Sequence, residues 1–326
     1  MNSLVLTLQH EGNAYQLNPV EGMTLEQGRR GVASRLNFSV IADDILQIEE
    51  GDRVKLIVDE TPIFHGFVFE IRRTKDEVID ILAYDQLRYF KNKDAYIFKD
   101  KKASDILQQL CADFNLQAGD IADTGYTIPM RVEDNKTLLD IVLNALILTF
   151  IHTGKWYCLY DKGGAVCLTD IEQMETDYLL DKDTAQDYRH VSSIDRDTFN
   201  RVKIVQNDEK DGNSENITKR TTVTADDAEN QAKWGILQYF EVADEKDPNI
   251  QGKANDLLKQ KNRVLRELSV SGAIGNVNVR GGSSIITNLD VGGVRVQNKL
   301  VVNRVRHKFE NCLHTMDMDL IGMEFE

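Results

Sequence analysis

Cys312, His314 and nearby His307 form the one cluster of metal-ligating side chains in this 326-residue sequence. On a strand, residues two apart point to the same face, so Cys312 and His314 have the geometry to share an ion. A structural zinc takes four such ligands, and no second pair has suitable spacing. His10, His65, His152 and His190 are scattered. The expectation is a rim histidine beside a buried cysteine, with no metal. Paired carboxylates are the second candidate chemistry: Asp43-Asp44, Glu49-Glu50, Asp226-Asp227, and Asp317 with Asp319. A glycosidase needs two carboxyls at a set separation flanking a sugar cleft, and no feature of the sequence places any of these pairs across one. Glu49-Glu50-Gly51 reads as a turn, and Asp317 and Asp319 as the solvated face of a strand.

Other chemistries lack their motifs. The chain has no GxxxxGK[ST] loop and no GxGxxG after a strand, so nucleotide binding has no support. It has no HExxH and no GxSxG. Tyr84, Tyr89, Phe90 and Tyr96, interleaved with Arg88, Lys91 and Lys93, imitate a single-strand stacking strip but read as a packed connector. Trp156 and Trp234 read as core or interdomain anchors. No residue is assigned a catalytic, cofactor-binding or metal role, and no cofactor is expected.

Composition agrees. Hydrophobic residues make up 41% and charged residues 28%, which fits a globular protein with a buried core. The net charge of −14 divides unevenly: −5 over residues 1–100, −8 over 101–187 and −1 over 188–326. An acidic chain repels phosphate backbones, so no stable nucleic-acid binding is expected. No run approaches the ~20 apolar residues that span a bilayer. Residues 1–10 lack a basic n-region and read as a strand, so synthesis in a cytosol without membrane insertion is expected. Cys111, Cys158, Cys167 and Cys312 share no CxxC spacing and read as buried thiols.

The elements that would position these side chains follow a pattern shared by the two ends of the chain. Residues 51–58 lead into 63–71 and then 78–84. Residues 282–287 lead through a Gly-Gly turn to 299–307 and then 314–320. In both last strands apolar and acidic residues alternate: Ile79, Asp80, Ile81 in one, Met316, Asp317, Met318, Asp319 in the other. Period-two alternation marks strands with one buried face. Leu4, Leu6 and Leu8, and Leu36, Phe38 and Val40, repeat it. Gly66 reads as a bulge where a long strand curls. Small closed or nearly closed barrels fit such short strands.

Between the ends the period changes. Ala103, Ile106, Leu107, Leu110, Cys111 and Phe114 follow helical spacing, with Asp100 or a neighbour as cap. A second helix is expected after Asn135, then a hairpin of 155–160 and 165–169 around Gly163-Gly164. Farther on, 208–216 reads as a polar loop, 224–229 as a short helical turn and 252–268 as a helix covering the second β-region. The fold class is α+β, mainly β, in three parts: a first β-barrel domain at 1–97, an acidic α+β middle domain at 98–187, and a second β-barrel domain with a packed helix at 188–326.

Tyr84-Asp-Gln-Leu-Arg-Tyr-Phe90, followed by Lys102-Ala-Ser-Asp-Ile-Leu-Gln-Gln-Leu110, resembles the tail hub proteins of contractile phages, in particular the XkdQ-type hub of PBSX-like prophages. Asn135-Lys-Thr-Leu-Leu-Asp-Ile-Val142, Asn200-Arg-Val-Lys203, Trp234-Gly-Ile-Leu-Gln238 and the helix leading to Arg266-Glu-Leu-Ser-Val270 extend the resemblance, in order, over nearly the whole chain. The resemblance implies a non-enzymatic homotrimer whose two tube-type β-domains alternate around a ring. Such a ring adapts the sixfold tail tube to the threefold central spike. The implied partners are the tube protein or its initiator, the spike and other baseplate proteins. The implied location is the baseplate of a phage, a prophage particle or a phage-tail-like bacteriocin. A tail-borne cell-wall hydrolase and a glycan-binding module are the alternatives. The first would give a cleared zymogram band, and the second would present exposed aromatics on one face.

Overall fold

A computed structural model describes residues 3–322 apart from 21, 43–44, 76, 211–216, 244–248 and 292–293. The Asp43-Asp44 pair, the Gly292-Gly293 turn and most of the 208–216 stretch lie outside the described residues. The chain is mainly β and divides into two compact units, Met1–Arg189 with Ser269–Leu320, and His190–Leu268 with Ile321–Glu326.

In the first unit, alternation settles which side chains face inward. Leu6 and Leu8 of strand Leu4–His10, Leu36, Phe38 and Val40 of Arg35–Ile41, and Val54, Leu56 and Val58 of Arg53–Val58 are all buried in one core. Each fully buried side chain of this size contributes about 1.5–3 kcal/mol. The 13-residue strand Thr61–Arg73 pairs first with Arg53–Val58 and then with Val78–Tyr84, with register shifts at Leu56/Ile57 and Val68/Glu70. Gly66 sits at the handover. A Cβ there would lie 2.2 Å from the Tyr84 carbonyl oxygen, so only glycine lets the strand curl this tightly.

The two ends of the chain meet in one sheet. Strand Lys299–Glu310 pairs antiparallel with Met23–Gly28, from Arg304 opposite Gly28 to Phe309 opposite Met23. Phe309 enters the core built by the N-terminal strands. The sheet then runs through Arg35–Ile41, Val78–Tyr84, Thr61–Arg73, Arg53–Val58 and Leu4–His10 to Asn13–Leu17. On the other side of Lys299–Glu310 lie Leu313–Gly322, Leu265–Ile274 and Asp187–Ser193. In Leu313–Gly322, Met316, Met318 and Leu320 are buried and Asp317 and Asp319 face outward, as their alternation predicts. The path of described strands has two ends and does not close on itself.

The middle of the first unit holds helices α1 (Ala103–Asp113) and α2 (Leu138–Thr153), the strand pair Lys93–Lys102 and Thr127–Thr137, and a three-stranded sheet of Tyr157–Asp161, Val166–Asp170 and Ala118–Ile121. Phe90, Ile106, Leu107, Leu110, Leu138, Ile141, Val142, Leu159 and Leu168 share its core. The cap of α1 falls on a neighbour of Asp100, as expected, whereas that of α2 departs from expectation. Lys102 caps α1, with the Asp105 carboxylate accepting its backbone N–H at 3.0 Å. Thr137 caps α2, its Oγ1 accepting from Asp140 N at 3.0 Å. Asn135 instead takes a left-handed φ of 52° at the register shift in the preceding strand. The hairpin forms as expected, with Tyr157 opposite Asp170 and Asp161 opposite Val166.

The second unit has a sheet of Arg201–Lys210, Ile217–Asp226 and Gln238–Ala243, with α3 (Ala228–Trp234) and α4 (Ile250–Lys261). Strand, rather than loop, therefore continues to Lys210. Asp227 caps α3 by accepting from Asn230 N at 2.8 Å. Helix α4 ends at Lys261, seven residues before the expected boundary, and Leu265–Ile274 is strand. Ile250 and Ala254 of α4 pack on Val202, Ile204, Ala225 and Ala243, so the helix covers this small sheet.

Candidate functional site

Strand Val78–Tyr84 ends at Asp85, which is 1% exposed. Its carboxylate accepts from Ser34 N at 2.9 Å and from Leu87 N at 3.0 Å. One side chain thus fixes the loop before Arg35–Ile41 and caps the 3-10 helix Gln86–Lys91. Gln86 carries the connection onward. Its Oε1 accepts from Gln117 N at 2.9 Å, and its amide donates to the Gly164 carbonyl in the hairpin turn. His65 meets the neighbouring Gly163 carbonyl at 3.2 Å through Nδ1.

The C-terminal part of the unit reaches the same hairpin. Arg280 lies with its guanidinium 4.0 Å from the Tyr160 ring centroid and donates to the Asp161 carbonyl at 3.1 Å. The Cys158 thiol donates to the Arg29 carbonyl at 3.3 Å and lies 3.6 Å from that of Gly281. Gly281 crosses directly over the N-terminal strand end: a Cβ would fall 2.4 Å from Gly28 C and 2.6 Å from Arg29 N. The middle hairpin is therefore held between the two terminal β-segments. A cavity of about 330 Å³ opens beside it, lined by Gln27, Tyr160, Asp161, Arg280, Ser283 and His307 among others.

The electrostatics of this joint are dominated by burial. Burial, and then the charge of Asp161, pushes the Asp85 carboxyl well above the usual range. Burial does the same to Asp161, against the opposing pull of the Gly164 amide and Arg280. Burial also raises the Cys158 thiol to about 11, the opposite of an activated nucleophile.

The residues singled out in the sequence are dispersed. His307 and His314 do meet, Nδ1 to Nε2 at 3.0 Å, with His314 stacked on Phe309 at 4.5 Å. Burial lowers His307 to about 3 and His314 to about 4. Cys312 is exposed, at a left-handed φ of 61°, in the turn before Leu313–Gly322, which corrects its reading as a buried thiol. Its backbone there is no longer a strand, so the assumed shared face with His314 is lost. Among the described residues no three His, Cys, Asp or Glu side chains are grouped to hold a metal. Asp317 pairs with Lys308, and Asp319 accepts from Ser269 Oγ at 3.0 Å. Asp226 pairs with Arg201, while Asp227 caps α3. Phe90 is fully buried in the middle core, and Tyr84 and Tyr89 both flank Phe69, so that connector is packed. No helix among the described residues is long and apolar enough to cross a membrane.

Asp85 and Gln86 fall within the Tyr84–Phe90 motif, but no spacing in the sequence tells what they join, and Arg280 and Gly281 carry no signal of their own. The second unit shows a similar link. Asn200, fully buried, donates to the Gly235 carbonyl at 2.7 Å and accepts from Leu237 N at 2.9 Å. It thereby ties together the Asn200 and Trp234–Gln238 segments.

A family model described as YQBQ-like matches residues 23–321. The uncharacterized protein YqbQ of Bacillus subtilis (strain 168) is 30% identical over 310 residues, covering 92% of this chain and 91% of that protein. The phage-like element PBSX protein XkdQ of the same organism is 31% identical over 280 residues, covering 84% and 82%. Among solved structures, the 43 kDa tail protein of prophage MuSo2 from Shewanella oneidensis superposes with a TM-score of 0.71 at 12% identity, over 97% of this chain and 98% of that one. The E. coli c3393 protein, a type VI secretion component with structural similarity to the T4 tail proteins gp27 and gp5, gives 0.58 at 8% identity over 96% and 76%. Relatives at 30% identity over nine-tenths of the chain and a family model over most of its length lead to one assignment: the chain belongs to the YqbQ-like family, with PBSX XkdQ among its relatives, and its fold is that of prophage tail proteins.

Proposed function

We propose that this protein is a non-enzymatic baseplate hub, a homotrimer that adapts a sixfold tail tube to a threefold central spike. The observation that carries the reading is the pairing of Met23–Gly28 with Lys299–Glu310. It merges the N-terminal and C-terminal β-segments into one sheet, so that one chain presents two related β-surfaces in fixed relation. Three copies of such a chain present six. In this reading residues 1–97 and the β-part of 188–326 are the two tube-type domains, and residues 98–187 form the middle domain between them. Each domain is a curled sheet that neighbouring copies complete. The two open ends of the strand path, Asn13–Leu17 and Asp187–Ser193, fit that role, because an unpaired edge is a template for another strand. Closed head-to-tail contacts give a ring. The tail-protein fold and the gp27-like and gp5-like similarity of a matched protein support tube and spike as the partners. The protein acts in the tail particle after synthesis in the bacterial cytoplasm, and its acidic surface lets DNA or other cargo pass without binding.

Native mass spectrometry across concentration tests the stoichiometry. A species of three times 37.0 kDa is expected. Dimers or tetramers as the end state would refute the adaptor.

A further inference from the structure

We propose that a proton latches the middle hairpin to the N-terminal sheet: the buried carboxyls of Asp85 and Asp161 hold one proton between them, and its loss loosens the joint.

Both side chains are withdrawn from water. Asp85 is 1% exposed and Asp161 6%. Asp85 follows strand Val78–Tyr84, and Asp161 ends strand Tyr157–Asp161 at the hairpin turn. Their hydrogen bonds come from neutral groups. Ser34 N and Leu87 N donate to Asp85, and Gly164 N donates to Asp161 Oδ1 at 2.8 Å. No donor reaches Asp161 Oδ2, which is fully buried. Arg280 attracts Asp161, yet its guanidinium donates to the main-chain carbonyl of that residue and not to its carboxylate.

A buried carboxylate without an ion-pair partner is costly to ionise, and two that feel each other cost more. Burial raises both carboxyls, and the charge of Asp161 raises Asp85 further. The proton therefore belongs to the pair rather than to either residue.

Gln86 turns the pair into a latch. It follows Asp85, accepts from Gln117 N at 2.9 Å through Oε1, and donates to the Gly164 carbonyl, three residues beyond Asp161. The carboxyls and the bonds that hold the hairpin turn to the sheet thus sit on the same few residues. The other titratable groups around them are His65, Lys162, Cys167, Arg280 and His307. Burial lowers both imidazoles and raises the Cys167 thiol, so these three are neutral at pH 7.

When the joint opens, water reaches both carboxyls, and each ionises near pH 4. The closed pair keeps its proton up to about 7. Between these limits the open form carries one proton fewer, so opening rises by up to about tenfold for each pH unit. Acid tightens the joint and neutral pH loosens it.

Carboxyl carbon NMR of the aspartate-labelled full chain gives the first test, with Asp161→Asn, which keeps the shape, to assign the signals. One proton is expected to remain on the pair at about pH 5; two ionised carboxyls there would overturn the proposal. Hydrogen exchange at Ser34 N, Gln117 N and Gly164 N gives the second. Protection, corrected for the intrinsic pH dependence of exchange, should fall at least tenfold between about pH 5 and pH 7, and less than threefold in Asp161→Asn, where whatever the histidines add is the same. These amides should also exchange faster than Leu56 N, which lies between two paired strands, because the opening is local. An equal fall in both proteins, no fall in wild type, or joint amides as slow as Leu56 N would each overturn the latch. If Asp161→Asn does not fold, the wild-type titration and exchange decide alone.

Discussion

Gly281→Ala is expected to damage the protein far more than Gly28→Ala, although the two glycines face each other. A Cβ on Gly281 would stand 2.4 Å from Gly28 C and 2.6 Å from Arg29 N. Both are backbone atoms, so no rotamer change relieves the clash. The backbone they belong to is itself held by Arg29 N to Asn303 O at 2.9 Å and by the Arg304–Gly28 pairing. Overpacking of this kind costs about 1–3 kcal/mol. Disturbing one or two ladder hydrogen bonds adds about 1 kcal/mol each. The sum is about 3 kcal/mol, or a melting temperature lower by about 6–12 °C for a unit of this size. A Cβ on Gly28 meets nothing nearer than Val32 Cβ, at an ordinary 3.6 Å, so Gly28→Ala should stay within about 0.5 kcal/mol of wild type. Differential scanning calorimetry of the three proteins decides the matter. Equal melting temperatures for the two variants would refute the claim that the terminal segments are locked together at this crossing.

Other outcomes follow from the same geometry. His307 stays neutral in the folded protein down to about pH 3, whereas in the unfolded chain its imidazole binds a proton below about pH 6.5. Its folded pKa is depressed, so its contribution is present above pH 6.5 and is lost as pH falls. Wild type should therefore lose about 2 kcal/mol at pH 5 that His307→Phe does not lose, narrowing the stability gap seen at pH 8; a constant gap in urea titrations would count against this. Asn200→Ala removes two buried hydrogen bonds and should cost about 2–4 kcal/mol, with faster hydrogen exchange at Leu237 N; unchanged exchange there would contradict the link. Burial raises the thiols of Cys111 and Cys158 to about 11 and also raises Cys167, whereas Cys312 is exposed. A disulfide reagent should therefore modify one thiol rapidly in the native protein and the other three only on unfolding; two fast thiols would be inconsistent with this burial.

Period-two alternation was enough to identify Leu4–His10, Arg35–Ile41 and Leu313–Gly322 as strands, because each buries one face and wets the other. Helical spacing likewise placed α1 and α2 within a few residues. What could not be read was the pairing of Met23–Gly28 with Lys299–Glu310. Register between segments some 280 residues apart is set by packing of the assembled core, and Phe309 looks like any other strand aromatic until its neighbours are known. The joint at Asp85 was hidden for a related reason. A buried aspartate that accepts two backbone N–H groups is indistinguishable in sequence from a solvated one. Gln86, Arg280 and Gly281 acquire meaning only from the hairpin turn and strand end that they touch. The Cys312–His314 pairing failed because a tight turn breaks the strand alternation on which it depended.

Three-dimensional reconstruction of a tail particle containing this chain tests the central claim most directly. The account predicts three copies around the tail axis, between tube and spike, with both terminal β-segments of each copy in a single six-part ring. A chain located off the axis, or present in a copy number other than three, would contradict it.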